Sequence, residues 1–209
     1  TELYYSYDGY HYMPTSGRPL TPRPAAPEFG CSQLYLMHLC DSADGKSYII
    51  SGSGARIVHG TGESNKRLSD QMSGKAFGTV FYQIRKDGFC GIEGVGMRSK
   101  VITKNLQLLG PDIFINVNAS CGEVRCALMK KDGSFLDGFS FEDCVPLSFC
   151  DSVAHRLCWK QADPASLVGQ QVRIAIELSG ATLHAVTFTG RPCIRRPQAS
   201  FADPTQLTE

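Results

Sequence analysis

The chain has almost no excess charge of either sign: 21 Lys and Arg stand against 20 Asp and Glu in 209 residues, a net charge of +1. Gripping a phosphate backbone or an anionic bilayer requires a concentrated basic surface, so nucleic acid and membrane are excluded from the expected partners. The one basic cluster, Arg191, Arg195 and Arg196, reads as a solvated tail. Apolar runs are short, none approaching the roughly 20 residues that cross a bilayer as a helix. Helical periodicity is nearly missing as well; the one helix-like piece is Pro164–Val168, with Pro early and Gly169 as its stop. Tryptophan occurs once, at Trp159. A C-x-x-C knuckle, a glycine loop that would cradle phosphate, a dinucleotide fingerprint and a Ser/His/Asp set are all missing. No cofactor is therefore expected. Nor is there a signal peptide pattern after Thr1, a start that is either processed or cut.

Cysteine, by contrast, is plentiful, with nine residues. The number is odd and the positions are scattered, unlike a secreted disulfide scaffold. Cys90, Cys126 and Cys158 sit inside strand-like runs, where a reduced thiol acts as a small hydrophobe. A reducing cytoplasm is the expected compartment.

Short runs of β-branched and aromatic residues alternate with Gly, Asp, Asn and Pro, the pattern of strands and turns. In Asp112–Asn118, Ile113, Ile115 and Val117 point one way and Phe114, Asn116 and Asn118 the other. Gln171–Leu178 repeats this, with Val172, Ile174, Ile176 and Leu178 inward and Arg173 and Glu177 outward. Glu123–Met129 and Ser134–Leu136 form a hairpin across Lys130-Lys131-Asp132-Gly133. A second Asp-Gly, Asp87-Gly88, is expected to join Thr79–Ile84 to Phe89–Glu93, and a last strand covers Thr182–Phe188. Gly94-Val95-Gly96 is a bulge or turn. About eight strands at this spacing have the rhythm of a β-sandwich or jelly roll.

The first 70 residues differ. Leu3–Tyr7, Tyr10–Met13, Ser32–Leu39 and Lys46–Gly52 are expected strands, interrupted by a Pro-rich link from Pro19 to Pro27. Four short strands make one small open-edged sheet, which is not a stable domain alone. The expected fold class is all-β: a jelly-roll-like antiparallel sandwich preceded by a small blade-like antiparallel sheet. The expected division is a blade-like segment with linker at 1–73, a sandwich at 74–192 and a tail at 193–209.

Several phrases carry a family resemblance. They are Arg85-Lys86-Asp87-Gly88-Phe89, Ile115-Asn116-Val117-Asn118, Gly122-Glu123-Val124-Arg125 and Gly138-Phe139-Ser140 with Glu142-Asp143-Cys144. Cys158-Trp159-Lys160 and Leu167-Val168-Gly169-Gln170-Gln171-Val172-Arg173-Ile174 continue the series. In this order they resemble the C-terminal module of five-bladed propeller glycoside hydrolases of families 32 and 43, a bacterial branch among them. Leu3 to Tyr12 is similar to the strand and S-x-D-G-x-x-W phrase of a terminal blade, with Tyr12 where Trp is commoner. Tyr48–Gly52 and Val58-His59-Gly60 are similar to its closing strand and exit. The resemblance implies a non-catalytic C-terminal part of a fructosidase- or arabinosidase-like enzyme, bracing a propeller polypeptide that lies outside this sequence. Nothing in residues 1–75 matches the family's three catalytic acids. The resemblance also implies that His59 could reach a channel metal, although a lone histidine is more often a packing or surface group.

Glycoside hydrolysis needs two carboxyl groups about 5–9.5 Å apart. Glu142-Asp143 is the one adjacent acidic pair, and strand neighbours point to opposite faces, so no catalytic residue is assigned. Cys144, Cys150, His155 and Cys158 spell a Cys₃His zinc set without a knuckle, and Cys158 reads as core. Tyr10, His11, Tyr12 and Trp159 are the candidate carbohydrate-binding residues, with core packing the competing role for the tyrosines and burial for Trp159. Two alternatives stand beside the accessory role: an independent carbohydrate-binding sandwich, and a structural protein-interaction sandwich.

Overall fold

A computed structural model describes residues 1–6, 9–58, 67, 70 and 75–193, with backbone alone at 16, 17 and 192. The chain is all-β and divides into two compact units, Thr1–Phe89 and Cys90–Glu209. Among the described residues no helix is long and apolar enough to cross a membrane.

In the first unit, β1 (Glu2–Tyr5) pairs antiparallel with β2 (Met13–Pro19) as a separate two-stranded sheet. Such a ribbon is all edge, which is why β2 tolerates Pro14 and Pro19. A second sheet runs in the order β3 (Gln33–Asp41), β4 (Ser47–Ala55), β5 (Phe77–Arg85), each pair antiparallel. One of its faces is covered by the Pro-rich segment. The Tyr82 hydroxyl donates to the Pro22 carbonyl at 3.1 Å, and the Phe29 ring lies on Gly78, where a Cβ would come within 2.7 Å of it. The Arg56 guanidinium caps Phe29 from 4.0 Å.

Several expectations are corrected here. The four N-terminal strands do not share one sheet, and Tyr10–Tyr12 lie outside β2. Phe77–Arg85, expected in the sandwich, instead pairs residue for residue with β4, from Ser47 opposite Arg85 to Ala55 opposite Phe77. The division between compact units accordingly falls after Phe89 rather than at 73/74. The Asp87-Gly88 turn does form, with Asp87 at φ 49° and the Gly88 N–H donating to the Arg85 carbonyl. It closes no hairpin, because the following strand, β6 (Ile92–Glu93), pairs with β11 (Thr182–Pro192).

The second unit is the expected sandwich, built around one strand. β8 (Leu106–Met129) is 24 residues long and bends at Ser120–Gly122, where its pairing register shifts. Its first half pairs antiparallel with β11, Val117 opposite Leu183 and Ile113 opposite Phe188. Its second half lies beside β10 (Gln171–Ser179), Arg173 opposite Met129 through Ser179 opposite Glu123, so the numbers fall along β8 as they rise along β10. β7 (Ser99–Ile102) borders β10, and β9 (Leu147–Arg156) runs along both halves of β8. The sheet therefore curls round a single core.

Alternation fills that core as expected. Ile113, Ile115, Val117, Val124, Cys126 and Leu128 of β8, and Val172, Ile174, Ile176 and Leu178 of β10, are at most 1% exposed. Each such aliphatic side chain contributes about 1.5–3 kcal/mol relative to exposure. Outside the curl, Phe141 covers Ala127 and Ala175 and meets Phe135 edge-on at 5.6 Å. The 130–134 turn closes as expected, Lys130 N–H to the Ser134 carbonyl at 2.8 Å with Gly133 at φ 92°. Pro164–Leu167 is a 3₁₀ turn, capped by the Asp163 carboxylate accepting from the Ala165 N–H at 2.9 Å.

Candidate functional site

The face of the β3–β4–β5 sheet opposite the Pro-rich segment is the candidate surface. Cross-strand register places Gln33, Ala55 and Phe77 in one row and Tyr35, Ser53 and Thr79 in the next. His38, Ser51 and Phe81 form the third, beside a bulge at Met37. The central strand contributes only small residues to these rows, Ala55, Ser53 and Ser51. Phe81 is 70% exposed, Phe77 57% and Tyr35 53%, and Met37 adds 67% at the bulge. Among the described residues of this unit, buried apolar side chains are few, and Ala55, Ile57 and Ala76 form a small cluster. The sequence reading missed this surface. Its signal was the Phe77-x-Thr79-x-Phe81 alternation, assigned there to the wrong sheet.

The candidate carbohydrate residues separate. Tyr10 is 80% and Tyr12 63% exposed, and His11 beside them is exposed too. Trp159 belongs to the other unit and is only 6% exposed, so a sugar ring cannot stack on its face. Its indole N–H donates to the Cys126 carbonyl at 3.2 Å, and Phe139 meets it edge-on at 5.2 Å. The depression beside it, about 160 Å³ between Arg156, Cys158, Ala162 and Asp163, is below the roughly 300 Å³ where small-molecule sites begin.

Cys126 explains this arrangement. Its neighbour on one side is Ile176 of β10; on the other no strand runs alongside it among the described residues. Its carbonyl is met by Trp159, and its N–H by the Cys144 sulfur at 3.2 Å. Two side chains thus stand in for an absent strand, held by the Cys144–Trp159 bridge.

Glu142 and Asp143 take structural positions. The Asp143 carboxylate accepts from the Ser140 hydroxyl at 2.7 Å and the Ser140 N–H at 3.1 Å, and these bonds hold its pKa below the ordinary aspartate value. Lys160 donates to the Glu142 carbonyl at 2.7 Å. No group of three or more His, Cys, Asp or Glu side chains converges among the described residues, so the Cys144, Cys150, His155 and Cys158 set is not brought together. His59 lies outside the described residues.

His155, opposite Ile115 in β9, has its pKa lowered by burial. The unfolded chain, near the usual value of about 6.5, then binds the proton more readily than the folded one. Stability from neutral His155 is present above that value and is lost as pH falls through the folded pKa. His155→Gln should flatten the decline of the urea midpoint between about pH 7 and 5. An unchanged decline would place the titration on other groups.

No family model, curated protein or solved structure matches this chain.

Proposed function

We propose that this chain is a non-catalytic accessory part of a fructosidase- or arabinosidase-like glycoside hydrolase, its small sheet docking on further propeller sheet and its sandwich serving as a brace. The observation that supports this reading is the set of exposed aromatics Tyr35, Phe77 and Phe81 on one face of a sheet whose opposite face carries the Pro-rich segment. Exposed aromatics concentrated on one sheet face mark a surface that pairs with something. A sandwich with a complete core of its own has the rigidity a brace requires. The sugar chemistry comes from the family resemblance alone.

The exposed pair Tyr10 and Tyr12 favours a second reading, direct carbohydrate binding. One set of measurements separates the two. The chain alone should release no sugar from sucrose or 4-nitrophenyl arabinofuranoside above buffer, and Phe77→Ser with Phe81→Ser should leave its fold intact while abolishing capture of a co-expressed propeller polypeptide. Turnover by the chain alone would overturn the accessory role. Saturable glycan binding lost in Tyr10→Ala and Tyr12→Ala, with no propeller capture, would establish the second reading instead.

A further inference from the structure

We propose that Cys126 and Cys144 form a modification site, closing reversibly to a disulfide on reaction with a small-molecule disulfide and tying β8 to the turn that follows Phe139. This is independent of the accessory role above.

All nine cysteines are free, and Cys126 and Cys144 alone among them are buried, at 0% and 2% exposure. They belong to segments fixed by different means. Cys126 lies in mid-β8, anchored by β10, whereas Cys144 is held through its bridge to Trp159. The two meet because the Cys144 sulfur occupies the place of a strand partner, accepting the Cys126 N–H at 3.2 Å. Cys40, Cys90, Cys121 and Cys158 are exposed and none shares such a contact among the hydrogen bonds described.

The environments of the two sulfurs differ in the sense that exchange chemistry uses. Contact with Cys126, through its thiol and its N–H, holds the Cys144 pKa down, and the nearby Arg125 charge adds to this. The same contact together with burial pushes the Cys126 thiol well up. Cys144 ends a turn whereas Cys126 is paired in mid-strand, so Cys144 is the attacking thiolate and Cys126 the resolving thiol. With glutathione disulfide, the Cys144 thiolate attacks one sulfur, forming a mixed disulfide and expelling one glutathione thiolate. Cys126 then attacks the Cys144 sulfur, its proton passing to the departing second glutathione. Two protein thiols are oxidised, one glutathione disulfide is reduced to two thiols, and the protein loses two hydrogens. Burial of both sulfurs makes transient opening of the 139–145 turn the gate for the first step.

The full chain would be incubated with oxidised glutathione, alkylated, digested and mapped by mass spectrometry. A linked peptide joining Cys126 to Cys144 is expected, reversed by dithiothreitol. The closed span is 18 residues, so the linked protein should melt about 5–15 °C higher. Cys144→Ser should lose both effects and Cys158→Ser neither. The wild-type map is decisive even where a variant fails to fold. Full alkylation of Cys126 and Cys144 after long incubation, also in sub-denaturing urea, would overturn the proposal; so would Cys144 linked to a different cysteine.

Discussion

Trp159→Ala should cost the sandwich unit about 3–5 kcal/mol, and Trp159→Phe about 1–3 kcal/mol. The first figure reflects a large cavity: the indole is 6% exposed, packs edge-on against Phe139 at 5.2 Å, and belongs to the same buried cluster as Leu128 and Ile174. The second isolates a hydrogen bond. Phe keeps most of the ring but removes the donor that meets the Cys126 carbonyl at 3.2 Å, in a stretch of β8 with no strand on that side. That carbonyl would stay buried without a partner, which is dearer than the bond itself is worth. Trp159 is the sole tryptophan, so urea midpoints should be followed by far-UV circular dichroism rather than its fluorescence. A loss of less than about 1 kcal/mol in Trp159→Ala would mean that the 139–145 turn collapses into the space.

Much of the sandwich was legible because period-2 alternation reports burial directly. Ile113, Ile115 and Val117, and the four inward residues of β10, are buried where the pattern puts them. Turn chemistry was equally local: Gly133 at φ 92° and Gly169 at φ 89° stand where a left-handed residue was required. Alternation is silent about the neighbour across the ladder. Phe77–Arg85 reads as a strand from its sequence, but its partner, β4, lies beyond a connection of more than 20 residues, and nothing local in Thr79–Ile84 distinguishes that sheet from the one formed by β8. The same gap explains Trp159. Strand context made burial the competing role, yet the side chain's purpose depends on Cys126 lacking a strand on one side, a property of topology rather than of the Cys158-Trp159-Lys160 phrase. Tyr10 and Tyr12 show the converse, for the strand expected over Tyr10–Met13 is replaced by a connection in which both are exposed.

These limits bear on function. The composition of a sheet face can be read only once its register is known, and the grouping of Tyr35, Phe77 and Phe81 on one face emerges from pairing β5 with β4 and β4 with β3. The acidic pair is set aside by its contacts rather than by strand divergence: Glu142 and Asp143 lie in a turn, where Asp143 is engaged by Ser140.

Gly122→Ala should be the most damaging single-methyl change in the sandwich, about 3 kcal/mol. β8 can serve both halves of the curled sheet only by bending between Ala119 and Glu123, where its register against β9 shifts. At that corner it crosses the turn joining β10 to β11 at backbone distance. A Cβ on Gly122 would lie 1.9 Å from the Ser179 carbonyl oxygen and 2.5 Å from that of Gly180. Neither oxygen belongs to a side chain that can rotate away. Ser179 is fixed opposite Glu123 and Thr182 opposite Asn118, so moving the turn would loosen β10 and β11 together. Gly133→Ala is the control. It imposes a positive φ of 92° on alanine, yet the nearest atom to its Cβ is the Met129 methyl at 4.0 Å, so strain of about 1–2 kcal/mol is its whole cost. Urea titrations of both variants should therefore rank Gly122→Ala well below Gly133→Ala in stability. An equal or inverted ranking would show that the corner can separate without unpairing its strands, and that the bend in β8 does not depend on glycine.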